Sequence, residues 1–399
     1  MSYFLLPTIN YEIKPKNIKL KFDETNKISI NKTLSKYISQ VKEQISSINI
    51  VSKWDNMKKF TNPYEYIHTP VPGYKTSISR MKPLSRSFFK MMEMYNLFKI
   101  EDLYKNVGIK SFHLAEGPGG FIEALCLLRK NKRDMYYGMT LINNNINTPG
   151  WKKSEVFLKK NHNVTIELGA DGTGNLYKAK NLKYCMEKYQ NSMDFITADG
   201  GFDFSIDFNK QEEMAFRLIF SQISFAITMQ KKNGIFILKV FDIFLQSTVE
   251  LIYLLCCFYK KVYIIKPNTS RYANSEKYIV CKFFKEGNTK NISKKFLAIF
   301  TVLDRINFKK YLITNIINIP IQYFFLCQIQ EINAIIGQQQ IQNILTTIRM
   351  IEDDDWAKEN INKIKNQNIK KCIYWCIKNN LIYNKNIQTS NMFLGKIES

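Results

Sequence analysis

Histidine is scarce in this chain, with only His68, His113 and His162 among 399 residues, and the eight cysteines include no Cys-x-x-Cys pair. Cys256 and Cys257 are adjacent, and Cys372 and Cys376, one helical turn apart, have no histidine near them in sequence. That distribution disfavours both a zinc site and a disulfide framework, and it fits a reduced, intracellular protein. Long apolar runs are also missing. The most hydrophobic stretches are broken by Lys239, Asp242 and Glu250, or by Asn315, Asn318 and Pro320. The first residues, Met-Ser-Tyr-Phe-Leu-Leu-Pro, lack the basic flank and apolar length of a secretion signal. No membrane span is therefore expected. Acidic residues are few as well: 34 Asp and Glu stand against 58 Lys and Arg, a formal charge of +24. Such an excess favours a polyanionic partner, nucleic acid first. Asn and Ile are over-used beside Lys, so part of the charge reflects composition bias. Hydrophobic residues at 45% and aromatics at 14% supply a sizeable core and exclude a disordered chain.

Three regions are expected: an N-terminal extension over 1–79, a central domain over 80–286, and a basic, mainly helical C-terminal region over 287–399. In the first, Leu34, Tyr37, Ile38, Val41, Ile45 and Ile48 recur at helical spacing. Pro63, Pro70, Pro72 and Gly73 mark a loop leading out of it. The central region alternates strand patterns at 111–115, 135–141, 164–168, 195–198, 235–240, 262–266 and 278–283 with helical ones at 121–130, 210–231 and 244–259, after a first helix from Pro83 to about Phe98. That alternation predicts an α/β fold, a seven-stranded, Rossmann-like doubly wound sheet. Helices are expected at 329–351 and 356–380, the second capped by the acidic run Asp353-Asp354-Asp355.

The segment 111–120 runs from a strand through Glu116, Gly117, Pro118, Gly119 and Gly120 straight into a helix at Phe121. In a doubly wound sheet such a turn lies at the ligand crevice, with helix-start N–H groups available to an anion. It matches neither the dinucleotide fingerprint nor the phosphate-binding P-loop. A donor with an amino-acid carboxylate fits better. Asp171, in Ala-Asp-Gly-Thr-Gly-Asn175, and Asp199, in Thr-Ala-Asp-Gly-Gly-Phe202, end the next strands and could hold a nucleoside. Either could equally be a turn-forming aspartate.

Lys239 sits inside the apolar run Gly234-Ile-Phe-Ile-Leu-Lys-Val240, where an ammonium is costly unless paired. Lys90 lies in an apolar helix, and Glu276 opens the last strand. A lysine among carboxylates can act as a base or steer a hydroxyl towards attack. Lys90 would lower the pKa of Lys239, whereas Asp199 and Glu276 would raise it.

At these residues the sequence resembles the FtsJ/RrmJ-like RNA ribose 2′-O-methyltransferases. It looks most like the cap-specific branch, with its Adrift-type enzymes and proteins of large DNA viruses. The family's Lys-Asp-Lys-Glu tetrad falls on Lys90, Asp199, Lys239 and Glu276, and its donor loop on Glu116–Phe121. Asp171-Gly-Thr-Gly, Lys210-Gln-Glu-Glu213 and Lys266-Pro-Asn-Thr-Ser-Arg271 add to the likeness, which covers about 80–286. The resemblance implies S-adenosyl-L-methionine as cofactor, no metal, and methylation of a ribose 2′-hydroxyl in capped mRNA. The same chemistry on rRNA or tRNA, or a silent RNA-binding scaffold subunit, are the alternatives. It also implies capping or transcription machinery as partners, through the C-terminal helices, and a viral protein of infected cytoplasm or virion. Leu141-Ile-Asn-Asn144 stands where many relatives have an acidic ribose ligand. Tyr64, Tyr66 and Tyr74 are the positional candidates for a cap-guanine pocket.

Overall fold

Phe195 to Ala198, Ile235 to Leu238 and Tyr278 to Cys281 are runs buried without a break. Strand alternation divides them between two faces: Ile196, Phe236, Leu238 and Ile279 enter one core, Phe195, Ile235, Ile237 and Val280 the other. A sheet apolar on both faces must be covered on both. The computed structural model, which describes residues 3–25, 27–142, 150–201, 208–308 and 310–387, shows this sandwich. Phe202, Asn143 and Asn144 of the motifs above lie outside the described residues.

Ten strands occur among the described residues: β1 (Tyr3–Leu5), β2 (Ile18–Asp23), β3 (Lys110–Leu114), β4 (Met135–Met139), β5 (Val164–Ile166), β6 (Met193–Ala198), β7 (Gln230–Val240), β8 (Tyr259–Ile265), β9 (Lys277–Phe284) and β10 (Leu312–Ile317). Eight form the main sheet in the order β1-β8-β9-β7-β6-β3-β4-β5, and β2 pairs with β10 in a separate ribbon. The seven expected strands are all present. β1 is an eighth, added antiparallel to β8 at the edge. β3 to β7 run parallel, and β9 is inserted antiparallel between β7 and β8. Strand order reverses between β3 and β6, and this switch point opens a crevice at their carboxyl ends.

The helices are α1 (Lys32–Gln44), α2 (Ile48–Thr61), α3 (Ser87–Leu97), α4 (Ile100–Leu103), α5 (Gly120–Arg129), α6 (Glu155–Lys160), α7 (Ala179–Tyr189), α8 (Gln211–Met229), α9 (Gln246–Phe258), α10 (Lys290–Leu303), α11 (Tyr323–Glu352) and α12 (Asp354–Lys378). One face of the sheet packs on α3, α5 and α12, through Phe88, Phe89, Ile122, Leu125, Ile369 and Trp375. The other packs on α8, α9 and α10, joined by Phe325 and Ile329 of α11 and by Leu6, Ile9 and Ile13. Asp353 caps α12 as expected, its Oδ1 accepting from the Trp356 N–H at 3.0 Å. Packing thus crosses both positions at which the sequence suggested boundaries. No helix among the described residues is long and apolar enough to cross a membrane.

Candidate active site

A cavity of about 930 Å³ opens at the switch point. One end is shaped by the turn after β3. Ala115 takes a left-handed conformation (φ +54°), and the chain then doubles back into α5. The Glu116 side chain is buried, and its Oε1 accepts from the Phe121 and Ile122 N–H groups at 2.8 and 3.0 Å. The helix-start donors expected to meet an anion are therefore taken, in part, by the chain's own carboxylate. Burial pushes this carboxyl up to about 8, with the negative charge of Asp199 adding to the effect and the two N–H groups opposing it. Gly120 lies close under the start of α3: a Cβ there would stand 2.2 Å from Ser85 Oγ and 2.3 Å from Ser87 Oγ, so both hydroxyls would have to turn away, and 3.1 Å from the Phe88 backbone nitrogen. Ala115, Glu116, Gly117 and Pro118 line the cavity, whereas Gly119, Gly120 and Phe121 do not. Phe121 is fully buried, its ring centroid 6.2 Å from that of Tyr278.

Thr140, Leu141, Gly174, Asn175, Leu176 and Tyr177 continue this end beyond β4 and β5. Asp171 stands behind them and does not reach the cavity. Its Oδ1 accepts from Thr173 N (3.0 Å), Thr173 Oγ1 (2.6 Å) and Asn181 Nδ2 (2.9 Å). Although desolvation opposes it, those bonds hold the carboxyl well below the usual range. Asp171 thus shapes its own loop. The loop closes on β4 so tightly that a Cβ at Gly174 (φ +63°) would lie 2.0 Å from the Thr140 carbonyl oxygen.

The four other predicted residues converge in the middle of the cavity, all lining it. Lys90 of α3 and Glu276, just before β9, form a buried ion pair, with Nζ 2.7 and 2.9 Å from the two carboxylate oxygens. Lys239 of β7 donates to the Asp199 carbonyl at 2.8 Å and stands 3.2 Å from Asp199 Oδ1. The Tyr278 hydroxyl donates to the same Oδ1 at 2.6 Å. β7 is hydrogen-bonded on both sides, to β6 and β9, so Lys239 belongs to a central strand and not to an edge. Against desolvation, Lys90 and Lys239 hold the Glu276 carboxyl well below its ordinary range. The result is two carboxylate-anchored ammonium groups facing one cavity. An ammonium has three N–H groups, and Asp199 takes two of those on Lys239.

Support for the tetrad comes from residues whose spacing did not reveal their role. Lys266 Nζ donates to Asn274 O, Asn274 Oδ1 and Glu276 O at 2.7, 2.9 and 2.8 Å, which fixes the loop before β9. Burial brings this ammonium down to about 7. Arg271 grips buried Glu65 through two bonds of 2.6 and 3.0 Å, and Gln340 of α11 donates to Ala273 O at 3.0 Å. The Lys266–Arg271 segment was the visible signal for this loop. Glu65 and Gln340 gave none, because their partners are about 200 and 70 residues away. Tyr64, Tyr66 and Tyr74 do not line the cavity, and Tyr66 is buried. The N-terminal aromatic that does line it is Trp54 of α2.

A mostly parallel sheet opening at its switch point onto glycine-shaped loops and paired ionisable groups has the architecture of a doubly wound α/β enzyme domain, with its ligand crevice at the strand ends. A model of FtsJ-like methyltransferases matches residues 83–284, half of the sequence, and the chain belongs to that family. Its relatives include cap-specific mRNA (nucleoside-2′-O-)-methyltransferase 2 of Danio rerio, 30% identical over 61% of this chain and 33% of that one. The corresponding methyltransferase 1 of Mus musculus is 36% identical over 57% of this chain and 28% of its own. That of Leishmania braziliensis is 35% identical over 42% of each. The chain thus spans about a third of the length of the curated relatives it matches. Among solved structures, human methyltransferase-like protein 13 in complex with SAH aligns at 10% identity and a TM-score of 0.36, over 56% of this chain and 94% of that one.

Proposed function

We propose that the protein transfers the methyl group of S-adenosyl-L-methionine to a ribose 2′-hydroxyl of capped mRNA. The observation that bears most weight is the convergence of Lys90, Asp199, Lys239 and Glu276 on one cavity, next to the loop that family members use for the donor. The relatives' names point to the capped substrate.

The donor end suits a ligand with a nucleoside and an amino-acid tail. Asp199 offers a carboxylate for a cationic part, Glu116 a carboxyl that is largely neutral near pH 7, and residues 115–118 and 174–177 line that end. When bound, S-adenosyl-L-methionine supplies a methyl group activated by the positive charge on sulfur. The chain's own residues do the rest. Lys239, held by Asp199, directs its remaining N–H to the 2′-oxygen and fixes the line of attack. It also stabilises negative charge that builds on that oxygen as its proton is lost. Lys90 and Glu276 hold the other side of the ribose, Glu276 accepting from a hydroxyl and Lys90 keeping that carboxylate ionised. Tyr278 keeps Asp199 oriented. As the oxygen–methyl bond forms and the sulfur–methyl bond breaks, the 2′-proton passes to solvent. We place capping or transcription partners on the C-terminal helices, where Tyr374 and Ile377 are exposed.

The test compares methyl transfer from labelled donor to capped and uncapped RNA of one sequence, and to rRNA and tRNA, by wild type and Lys239→Ala. Capped RNA should be labelled preferentially, and Lys239→Ala should lose at least a hundredfold in rate. Equal labelling of capped and uncapped RNA would remove the cap, and no transfer to any RNA would remove the reaction.

A further inference from the structure

The cavity is larger than its donor end and tetrad, and its remaining wall comes from outside the family-matched segment. Trp54 and Lys58 of α2 line it beside Arg271, with Lys42 of α1 and Gln340 of α11. Sheet order separates this wall from the donor loop. The loops proposed to hold the donor follow β3, β4 and β5, whereas Arg271 to Glu276 lead into β9, on the far side of Lys239. The wall is firmly built. Asn343 Nδ2 of α11 donates to Thr61 O at 2.8 Å at the end of α2, and Thr61 Oγ1 lies 2.6 Å from Thr347 Oγ1. Trp54 packs against the apolar cluster of Ile38, Ile341 and Ile344, is half-buried, and lines the cavity.

The two neighbouring cations differ in freedom. Arg271 is anchored by the carboxylate of buried Glu65, a fixed positive charge that is 26% exposed. Lys58 is paired with Asp55, which is 80% exposed, so the pair is exchangeable. An indole with one fixed and one exchangeable cation is the chemistry that takes a nucleobase by stacking and its phosphates by charge.

We propose that Trp54 is the base-stacking platform of the RNA subsite, with Arg271 and Lys58 holding the phosphates of the stacked nucleotide. This rests on the reading of the cavity as an RNA ribose methylation site. It assigns substrate recognition to the N-terminal helices and not to the tyrosines at 64, 66 and 74.

Binding of short capped and uncapped RNAs, read by anisotropy on full-length protein, tests it without depending on turnover. Trp54→Ala should weaken RNA binding by about 5- to 100-fold, whereas Trp54→Phe should stay within about threefold. Affinity for S-adenosylhomocysteine should not change in either. Lys58→Ala should reduce the salt dependence of log Kd by about one unit of slope. Loss for capped RNA alone would place the cap guanine on Trp54, and equal loss for both RNAs would place a transcribed nucleotide there. Unchanged RNA affinity in a folded Trp54→Ala variant would overturn the proposal. Should that variant not fold, tryptophan fluorescence decides: quenching by RNA in wild type must vanish in Trp54→Phe, and quenching that persists overturns it. Weakened binding without any methyl transfer would uphold this subsite while refuting the reaction.

Discussion

Lys90→Met is the most informative single substitution, because it removes one half of an ion pair in which each residue is only 8% exposed. Breaking a buried pair from one side costs about 3–5 kcal/mol, since the remaining charge loses its compensation. Here Glu276 keeps the nearby positive charge of Lys239, so the lower end, about 3 kcal/mol, is expected. Removing the carboxylate too, as Lys90→Met with Glu276→Gln, should recover about 2 kcal/mol of the summed single costs. The sign with pH follows from the carboxyl. In wild type its folded pKa lies below the ordinary 4.5, so its contribution is intact at neutral pH and is lost only as pH falls beneath that value. Without Lys90 the folded pKa rises, protonation relieves the buried charge, and the deficit of Lys90→Met shrinks as the buffer moves from about pH 7.5 towards 5. Urea unfolding of the four proteins at both pH values measures each term. A Lys90→Met cost under about 1 kcal/mol, or single costs that simply add, would refute the reasoning.

Three other outcomes are expected. Glu116→Gln keeps the acceptor that caps α5 but cannot ionise. The wild-type carboxyl, at about 8 in the fold against an ordinary 4.5, stabilises fully below 4.5 and loses that contribution as pH rises to 8. The variant should therefore gain on wild type by about 2–4 kcal/mol between pH 5 and 8.5 in melting experiments, and parallel pH curves would be the contrary result. Asp171→Ala should weaken S-adenosylhomocysteine binding roughly tenfold in calorimetry, because the bonds to Thr173 and Asn181 that set the 174–177 wall are lost; unaltered affinity would show that the loop holds its shape alone. Asp199→Asn removes the negative charge 3.2 Å from Lys239 while leaving the main-chain bond to that lysine and an amide oxygen for Tyr278, so single-turnover methyl transfer should fall about a hundredfold or more while RNA affinity changes little, and a mere twofold loss would exclude a role for that charge.

What was legible in the sequence follows from where each interaction is encoded. β3, β6, β7 and β9 announce themselves because burial on both faces demands unbroken apolar runs. Lys239 is conspicuous because it interrupts one of them. The ribbon strand β2 also had a local signal, Ile18-Lys-Leu-Lys-Phe-Asp23, whose alternation matches its burial, yet its partner β10 lies near 312–317 and has no such regularity. β1 is three residues long and depends wholly on its pairing with β8. For Glu116 and Asp171 the sequence placed a carboxylate beside glycines, but whether it faces a ligand or its own backbone is decided by rotamers and loop closure. In both residues at least one oxygen turned to the backbone or to a neighbouring side chain. Local hydrogen bonding of this kind competes with ligand binding wherever a short acidic side chain meets free N–H groups.

The flanking helices and the central sheet share a charge network as well as a core. Lys42 of α1 lies 2.9 Å from Asp242, just after β7, and Asp242 lies 3.6 Å from Lys277, the first residue of β9. Against desolvation, Lys42 and Lys277 keep the buried Asp242 carboxyl below its ordinary range. Lys277 also donates to the carbonyls of Phe241 and Ser275. Lys277 is the residue next to Glu276, so these bonds restrain the backbone from which Glu276 enters the cavity. Lys42 lies outside the family-matched segment, yet without it a buried carboxylate beside the tetrad loses its largest source of compensation. The matched segment of 83–284 is therefore not a physically complete unit in this protein. The backbone beside the candidate site is braced partly from α1, and the proposed base platform stands on the next helix in the chain.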